Sequence, residues 1–236
     1  EIVYDALGRA VVQKDVRGNY SYKVYDALGQ LAYDIDQENY VTRNSYDGFG
    51  QKTQLRRYEA RLNTAAIAGW SAGQPITLAQ IETAGAVVAG AQDRTITTRY
   101  DQRGLAVQIE QAQVTYYTAA GVAATGSPTV RVEYDGFGNK VKESILLQGT
   151  AGQADARWAD SYTYYDLVGR VTMTVDAEGY VTRSQYNATG EVTETVEFAR
   201  AVSTIGLTTL APPNTPPAGD DISGYDRISR WSYDAL

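Results

Sequence analysis

An all-β fold of short antiparallel hairpins, wound as a spiral or solenoid, is what this sequence predicts. Three observations point there: a Tyr-Asp-x-x-Gly string recurs along the chain, turn signals fall every 10 or 11 residues, and the composition suits a pleated, half-buried surface. The 236 residues include 19 Tyr against 3 Phe and 1 Met, together with 22 Gly. Tyrosine packs well on a sheet, and glycine supplies the left-handed positions that tight turns require.

The repeat governs every later assignment, because a missed period displaces all elements after it. Complete copies stand at Tyr4-Asp5-Ala6-Leu7-Gly8, Tyr25-Asp26-Ala27-Leu28-Gly29, Tyr46-Asp47-Gly48-Phe49-Gly50, Tyr100-Asp101-Gln102-Arg103-Gly104, Tyr134-Asp135-Gly136-Phe137-Gly138 and Tyr165-Asp166-Leu167-Val168-Gly169. A seventh, Tyr186-Asn187-Ala188-Thr189-Gly190, carries Asn for Asp, and an eighth begins at Tyr233-Asp234-Ala235-Leu236. Adjacent copies are 21 residues apart, as from Tyr4 to Tyr25, Tyr25 to Tyr46 and Tyr165 to Tyr186. Halfway through such units lie second turns of the same kind, Asp15-Val16-Arg17-Gly18, Asp36-Gln37-Glu38-Asn39 and Asp176-Ala177-Glu178-Gly179.

The letters of the repeat have a mechanical reading. Asp at the first position of a type I turn accepts backbone N–H groups, and Gly at the fourth tolerates a left-handed backbone. That pairing makes a three-residue hairpin loop with a G1 bulge. Tyr before the turn then ends a strand, its ring laid on neighbouring strands and its hydroxyl near water or a backbone partner.

Between turns the strands alternate: Val171, Met173 and Val175 point one way, Thr172 and Thr174 the other. Tyr40-Val41-Thr42-Arg43 recurs as Tyr180-Val181-Thr182-Arg183, 140 residues later. The hairpin units therefore occupy about 1–54, 93–197 and 225–236 of a single array, interrupted by insertions at about 55–92 and 198–224. Pro75, Pro128, Pro212, Pro213, Pro216 and Pro217 all lie between hairpin units, as expected of a residue that cannot donate to a ladder. The first insertion holds one short helix, with Thr77 as N-cap and Gln80 completing a capping box. The second reads as an irregular loop, and Ala119–Pro128 and Gln148–Asp155 read as extended hairpin tips.

Composition also narrows function. With no Cys and no His there are no disulfides, no thiol nucleophile, no imidazole base and no zinc site of the usual ligands. The net charge of −7 is spread over the turns, which disfavours nucleic acid as a partner. No apolar run approaches the roughly 18 residues of a membrane helix, so no membrane insertion is expected.

The remaining chemical candidates each have a plainer explanation. Asp34, Asp36 and Glu38 form an acidic string that could ligate calcium, yet Asp36 already has a turn to close. Gly48-Phe49-Gly50 and Gly136-Phe137-Gly138 lack the third glycine and following helix of a dinucleotide site. Trp70, Trp158 and Trp231 could stack on sugars, or serve as rungs of the sheet. The expectation is a chain with no catalytic residues, no metal and no cofactor.

The pentapeptides and their 21-residue step resemble the YD-repeat, or Rhs-repeat, family, and the likeness extends over nearly the whole chain outside the insertions. Members include bacterial Rhs polymorphic toxins, the encapsulating parts of Tc toxins and teneurins. The resemblance implies a β-spiral wall of a large secreted or cell-surface bacterial protein, with any export signal outside this segment. It further implies neighbouring repeats or further copies of the chain as partners, and in some members an enclosed C-terminal toxin domain or bound glycans. The Asp-Pro motif that ends toxin-bearing shells has no counterpart here, since no Asp-Pro pair occurs. Trp231-Ser232-Tyr233-Asp234-Ala235-Leu236 matches the unit containing Tyr4-Asp5-Ala6-Leu7, which fits an array continued by more repeats or by end-to-end copies.

Overall fold

A computed structural model of the chain describes residues 1–118, 120–214 and 225–234. The protein is antiparallel β almost throughout, and it divides into two compact units, Glu1–Val114 and Thr115–Leu236. The first unit is a meander of β1 (Ile2–Tyr4), β2 (Ala10–Lys14), β3 (Tyr20–Tyr25), β4 (Leu31–Ile35), β5 (Tyr40–Tyr46), β6 (Lys52–Arg61), β7 (Arg94–Tyr100) and β8 (Ala106–Gln111). Each strand pairs antiparallel with the next. Between β6 and β7 come a 3-10 turn at Thr64–Ala66 and α1 (Leu78–Ile81).

The second unit opens with a separate two-stranded hairpin of β9 (Val114–Tyr117), which begins at the boundary, and β10 (Ala123–Gly126). A second meander follows: β11 (Thr129–Tyr134), β12 (Lys140–Gln148), β13 (Arg157–Tyr165), β14 (Val171–Val175), β15 (Val181–Tyr186), β16 (Val192–Glu197) and β17 (Arg227–Arg230).

Cross-strand register sets which residues share a face. In the first unit Val12 faces Tyr22, Tyr22 faces Ile35, Val24 faces Tyr33 and Ile35 faces Val41, so one side of β2–β5 carries a continuous apolar patch, which gives way to Arg43 and Arg56 beyond Tyr33. The insertion folds over that side and contributes Leu62, Ile67, Ile76, Ile81 and Ala86, and Ile35, Val41 and Ile81 are almost completely buried. Burying such a side chain is worth about 1.5–3 kcal/mol, so the cover contributes to holding the sheet. The opposite side carries Gln13, Ser21, Lys23, Asp34 and Thr42, with Lys23 Nζ 3.7 Å from Asp34.

The second unit repeats the scheme. Tyr162 faces Val175, Tyr164 faces Met173 and Val175 faces Val181, and Val196 and Phe198 complete the cluster with Val202, Leu207 and Ile228 against it. Met173 and Val175 are buried beside half-buried Val171, the alternation anticipated for β14.

The insertions refine the sequence-based limits. β6 runs on to Arg61, so Leu55–Arg61 continues the ladder before the first insertion begins. Helix α1 is a single turn in which the Thr77 hydroxyl accepts from the Gln80 N–H while Gln80 Oε1 accepts from the Thr77 N–H. Residues 201–214 carry neither helix nor strand. Pro216 and Pro217, with the rest of 215–224, and Ala235 and Leu236 of the eighth copy lie outside the described residues.

Candidate functional site

The repeated pentapeptide is where the polar chemistry of the chain is concentrated. In the first copy the Asp5 carboxylate oxygen Oδ1 accepts from the Leu7 and Arg9 N–H groups, both at 2.9 Å. The Gly8 N–H donates to the Asp5 carbonyl at 3.0 Å, and the Asp5 N–H donates to the Arg9 carbonyl at 2.9 Å. Gly8 has φ of 77°, the left-handed value an L side chain resists.

The same four bonds recur at every complete copy. Asp26 holds Leu28 and Gln30, Asp47 holds Phe49 and Gln51, and Asp101 holds Arg103 and Leu105. Asp135 holds Phe137 and Asn139, and Asp166 holds Val168 and Arg170. Asn187 holds Thr189 and Glu191 through its amide oxygen, which shows that the position needs an acceptor rather than a charge. Glycines 29, 50, 104, 138, 169 and 190 all have positive φ, between 82° and 93°. The intermediate turns at Asp15, Asp36 and Asp176 are built identically, with Asn39 taking the left-handed position at φ 67°.

Each tyrosine of the motif sits where the ladder slips by one residue, the position of the bulge. In five copies the hydroxyl has a fixed destination. Tyr46 donates to the Leu31 carbonyl at 3.1 Å, Tyr100 to Lys52 at 3.0 Å, Tyr165 to Lys140 at 3.0 Å, Tyr186 to Val171 at 2.8 Å and Tyr233 to Val192 at 2.9 Å. In every case the acceptor lies two residues past the glycine of the preceding copy. These five tyrosines thus clip their own turns to the turns before them. Tyr25 instead lies under the Arg9 guanidinium, 4.1 Å from the ring centroid, and Arg170 covers Tyr186 in the same way at 4.7 Å. Tyr4 is exposed in β1, and Tyr134 ends β11.

The electrostatics follow from the bonding. The Arg9 N–H, opposed by desolvation and reinforced by the Arg9 side chain and Leu7 N–H, holds the Asp5 carboxyl below its ordinary pKa. Asp101 is lowered chiefly by the Leu105 N–H, Asp166 by the Arg170 N–H and Asp135 by the Asn139 side chain. Burial raises the Tyr46 and Tyr165 phenols, so both remain donors at neutral pH.

The other candidates are placed as follows. Asp34 faces Lys23, Asp36 closes its turn with Arg57 3.9 Å away, and Glu38 lies in that turn, so the three do not converge. Trp70 packs on Tyr22 at 5.3 Å between centroids, Trp158 lies under Arg131 at 4.4 Å, and Trp231 is 46% exposed. The two Gly-Phe-Gly strings are turn tips, with Phe49 and Phe137 exposed. A cleft of about 530 Å³ lies among the Asp135 and Asp166 turns, Tyr164 and Thr209–Pro212, and both of its acids are committed to turn amides.

Three features escaped sequence reasoning. The tyrosine clip depends on which carbonyl the bulge presents. At Thr118 the hydroxyl accepts from the Val122 N–H and the Gly121 N–H donates to the Thr118 carbonyl, two of the repeat's bonds made with a different letter. The pair Arg57 and Arg94 needs the register to be seen, although comparing Arg57 with Glu197 at the 140-residue offset would have marked it.

No family model matches the chain, and no curated protein does. Among solved structures, a crystal structure of TcdB2-TccC3 aligns with 84% of this chain at 15% identity and a TM-score of 0.28, and a TcdB2-TccC3-Cdc42 structure does so at 16% and 0.29. A Photorhabdus luminescens Tc holotoxin pore aligns with 83% at 13% identity and a TM-score of 0.17. The chain spans 14–15% of the length of these chains. At such scores the fold rests on its own hydrogen-bond pattern.

Proposed function

We propose that this chain is a non-enzymatic wall segment of a large bacterial secreted or cell-surface protein of the YD-repeat kind. Neighbouring repeats of the same polypeptide, or further copies joined end to end, are its partners in a β-shell or an extracellular fibre. One observation carries this reading: the aspartate and glycine of each complete repeat are consumed in closing a turn, and in five copies the tyrosine hydroxyl clips that turn to the one before. Groups bonded to their own backbone are not available to bind or transform a substrate, and their regular spacing suits extension by repetition.

Electron microscopy of the intact parent polypeptide tests the reading. The expected result is the 21-residue meander embedded in continuous β-wall, paired with further repeats on both sides. A segment tethered by linkers as a peripheral module would contradict it and favour an adhesin. A folded domain enclosed by the wall would refine the role to that of a toxin-bearing shell.

A further inference from the structure

Corresponding rows in the two units differ at one place. In the first unit Thr42 faces Arg57 and Arg57 faces Arg94 across β5, β6 and β7. In the second, Thr182 faces Glu197 and Glu197 faces Arg227 across β15, β16 and β17. The second row neutralises itself, with Arg227 Nη1 3.6 Å from Glu197. The first sets two arginines directly opposite each other in the register, an arrangement of like charges that costs stability in a sheet.

The two carboxylates beside this pair, Asp36 and Glu59, are each bonded to backbone N–H groups. Arg57 is 61% exposed, and its ion pair with Asp36 is a long one, 3.9 Å, open to solvent screening. The Arg94 side chain makes no ion pair or hydrogen bond among the described residues. The two arginines line a cleft of about 220 Å³ with Tyr40, Tyr58, Glu59 and Gln92. Glu59, the acid in that lining, is occupied by the Gln92 N–H at 2.6 Å, while Arg61 adds a third cation over the Tyr40 ring at 5.2 Å.

We propose that this cleft binds an oxyanion, a carboxylate or sulfate group, between Arg57 and Arg94. The bound group takes the place that the Glu197 carboxylate holds in the second unit, and guanidinium geometry favours its two oxygens. A free inorganic anion and the acidic group of a sugar share this chemistry, and the sugar would additionally meet Tyr40 and Tyr58 at the walls.

Arginine side-chain NMR of the 236-residue chain at low salt, titrated separately with sodium sulfate, D-glucuronate and D-glucose, tests the proposal. Saturable shifts of the Arg57 and Arg94 Nε–H resonances are expected with sulfate and glucuronate and none with glucose. Tighter binding of glucuronate than of sulfate would identify a sugar-borne anion as the better ligand, and the reverse order a free anion. Arg57→Glu reproduces the second unit's row, so it should fold and weaken binding at least tenfold, as should Arg94→Gln. Glu197→Arg should create a second site at Arg227. Absence of saturation with both anions, or binding unchanged in Arg57→Glu, overturns the proposal.

Discussion

The two covered hairpin sets, β3–β6 beneath the first insertion and β13–β16 beneath the second, correspond strand residue by strand residue at an offset of 140, yet they are finished differently. Tyr22, Ile35, Val41 and Tyr58 in one set stand where Tyr162, Val175, Val181 and Phe198 stand in the other, all buried. Both insertions grip the intermediate turn by the same bond: the Leu62 N–H donates to the Asn39 carbonyl, and the Val202 N–H to the Gly179 carbonyl, both at 2.8 Å. Both return to the sheet through an aspartate, with Asp93 accepting from the Glu59 N–H and Asp226 from the Ala199 N–H, each at 2.9 Å.

Above that shared skeleton the covers diverge. The first brings a helical turn, Trp70 on Tyr22, and a Gly73 N–H donated to the Tyr22 hydroxyl. The second ties down with the Tyr164 hydroxyl donating to the Thr208 carbonyl. Asp93 also binds Arg56, at 2.7 Å, whereas position 196 is valine, and the second carboxylate oxygen of Asp226 is buried without a partner. The skeleton is thus specified by turn letters and strand periodicity, and the cover is free to change as long as its two anchor points survive.

Gly179→Ala should break the comparison most sharply. A methyl group there would strike the Val202 carbonyl oxygen, and φ is 92°. The loss should be about 2–3 kcal/mol, against about 1 kcal/mol or less for Asn39→Ala, where the left-handed position already carries a side chain. Urea unfolding of the two variants measures the difference. Next in size, Asp93→Ala should cost about 2 kcal/mol, since it removes bonds to Arg56 and to a backbone N–H. Asp226→Ala should cost no more than about half of that, because deleting an unsatisfied oxygen relieves part of the loss.

The tyrosine clip should prove weaker and graded. Tyr186→Phe leaves the Val171 carbonyl without its side-chain donor and should cost about 1 kcal/mol. Tyr46→Phe should cost less, because the Leu31 carbonyl keeps the Asn44 amide at 2.9 Å. The smallest effect per site is that of pH. Asp5, Asp101, Asp135 and Asp166 have folded pKa values below that of an ordinary aspartate, so their stabilisation is complete above the unfolded value and fades as pH falls through the folded one. Urea midpoints should therefore drop below about pH 4, and Asp166→Asn should flatten the curve slightly, because the amide oxygen accepts the same bonds at any pH.

The sequence revealed the skeleton because hairpin turns are local: Asp47 and Gly50 make their bonds within the pentapeptide and the next residue. Alternation placed Met173 and Val175 on one face for the same reason, and Thr77 announced α1 through a cap only three residues long. What stayed hidden depends on partners distant in the chain. The continuation of β6 past Leu55 is fixed by pairing with β5 across a register shift, up to Tyr40 opposite Arg61, and at Arg56 and Arg57 by β7 on the far side of the insertion. The juxtaposition of Arg57 with Arg94 exists only in that register, and neither residue belongs to the repeat.

Backbone amide exchange at Phe49 and Gln51 addresses the turn logic most directly, compared among the unmodified chain, Asp47→Asn and Asp47→Ala. Architecture demands that both amides stay protected with asparagine, the residue the seventh copy already uses, and exchange at least tenfold faster with alanine. Protection unaffected by alanine, or abolished by asparagine, would mean that the recurring aspartate is kept for some purpose other than reversing the chain.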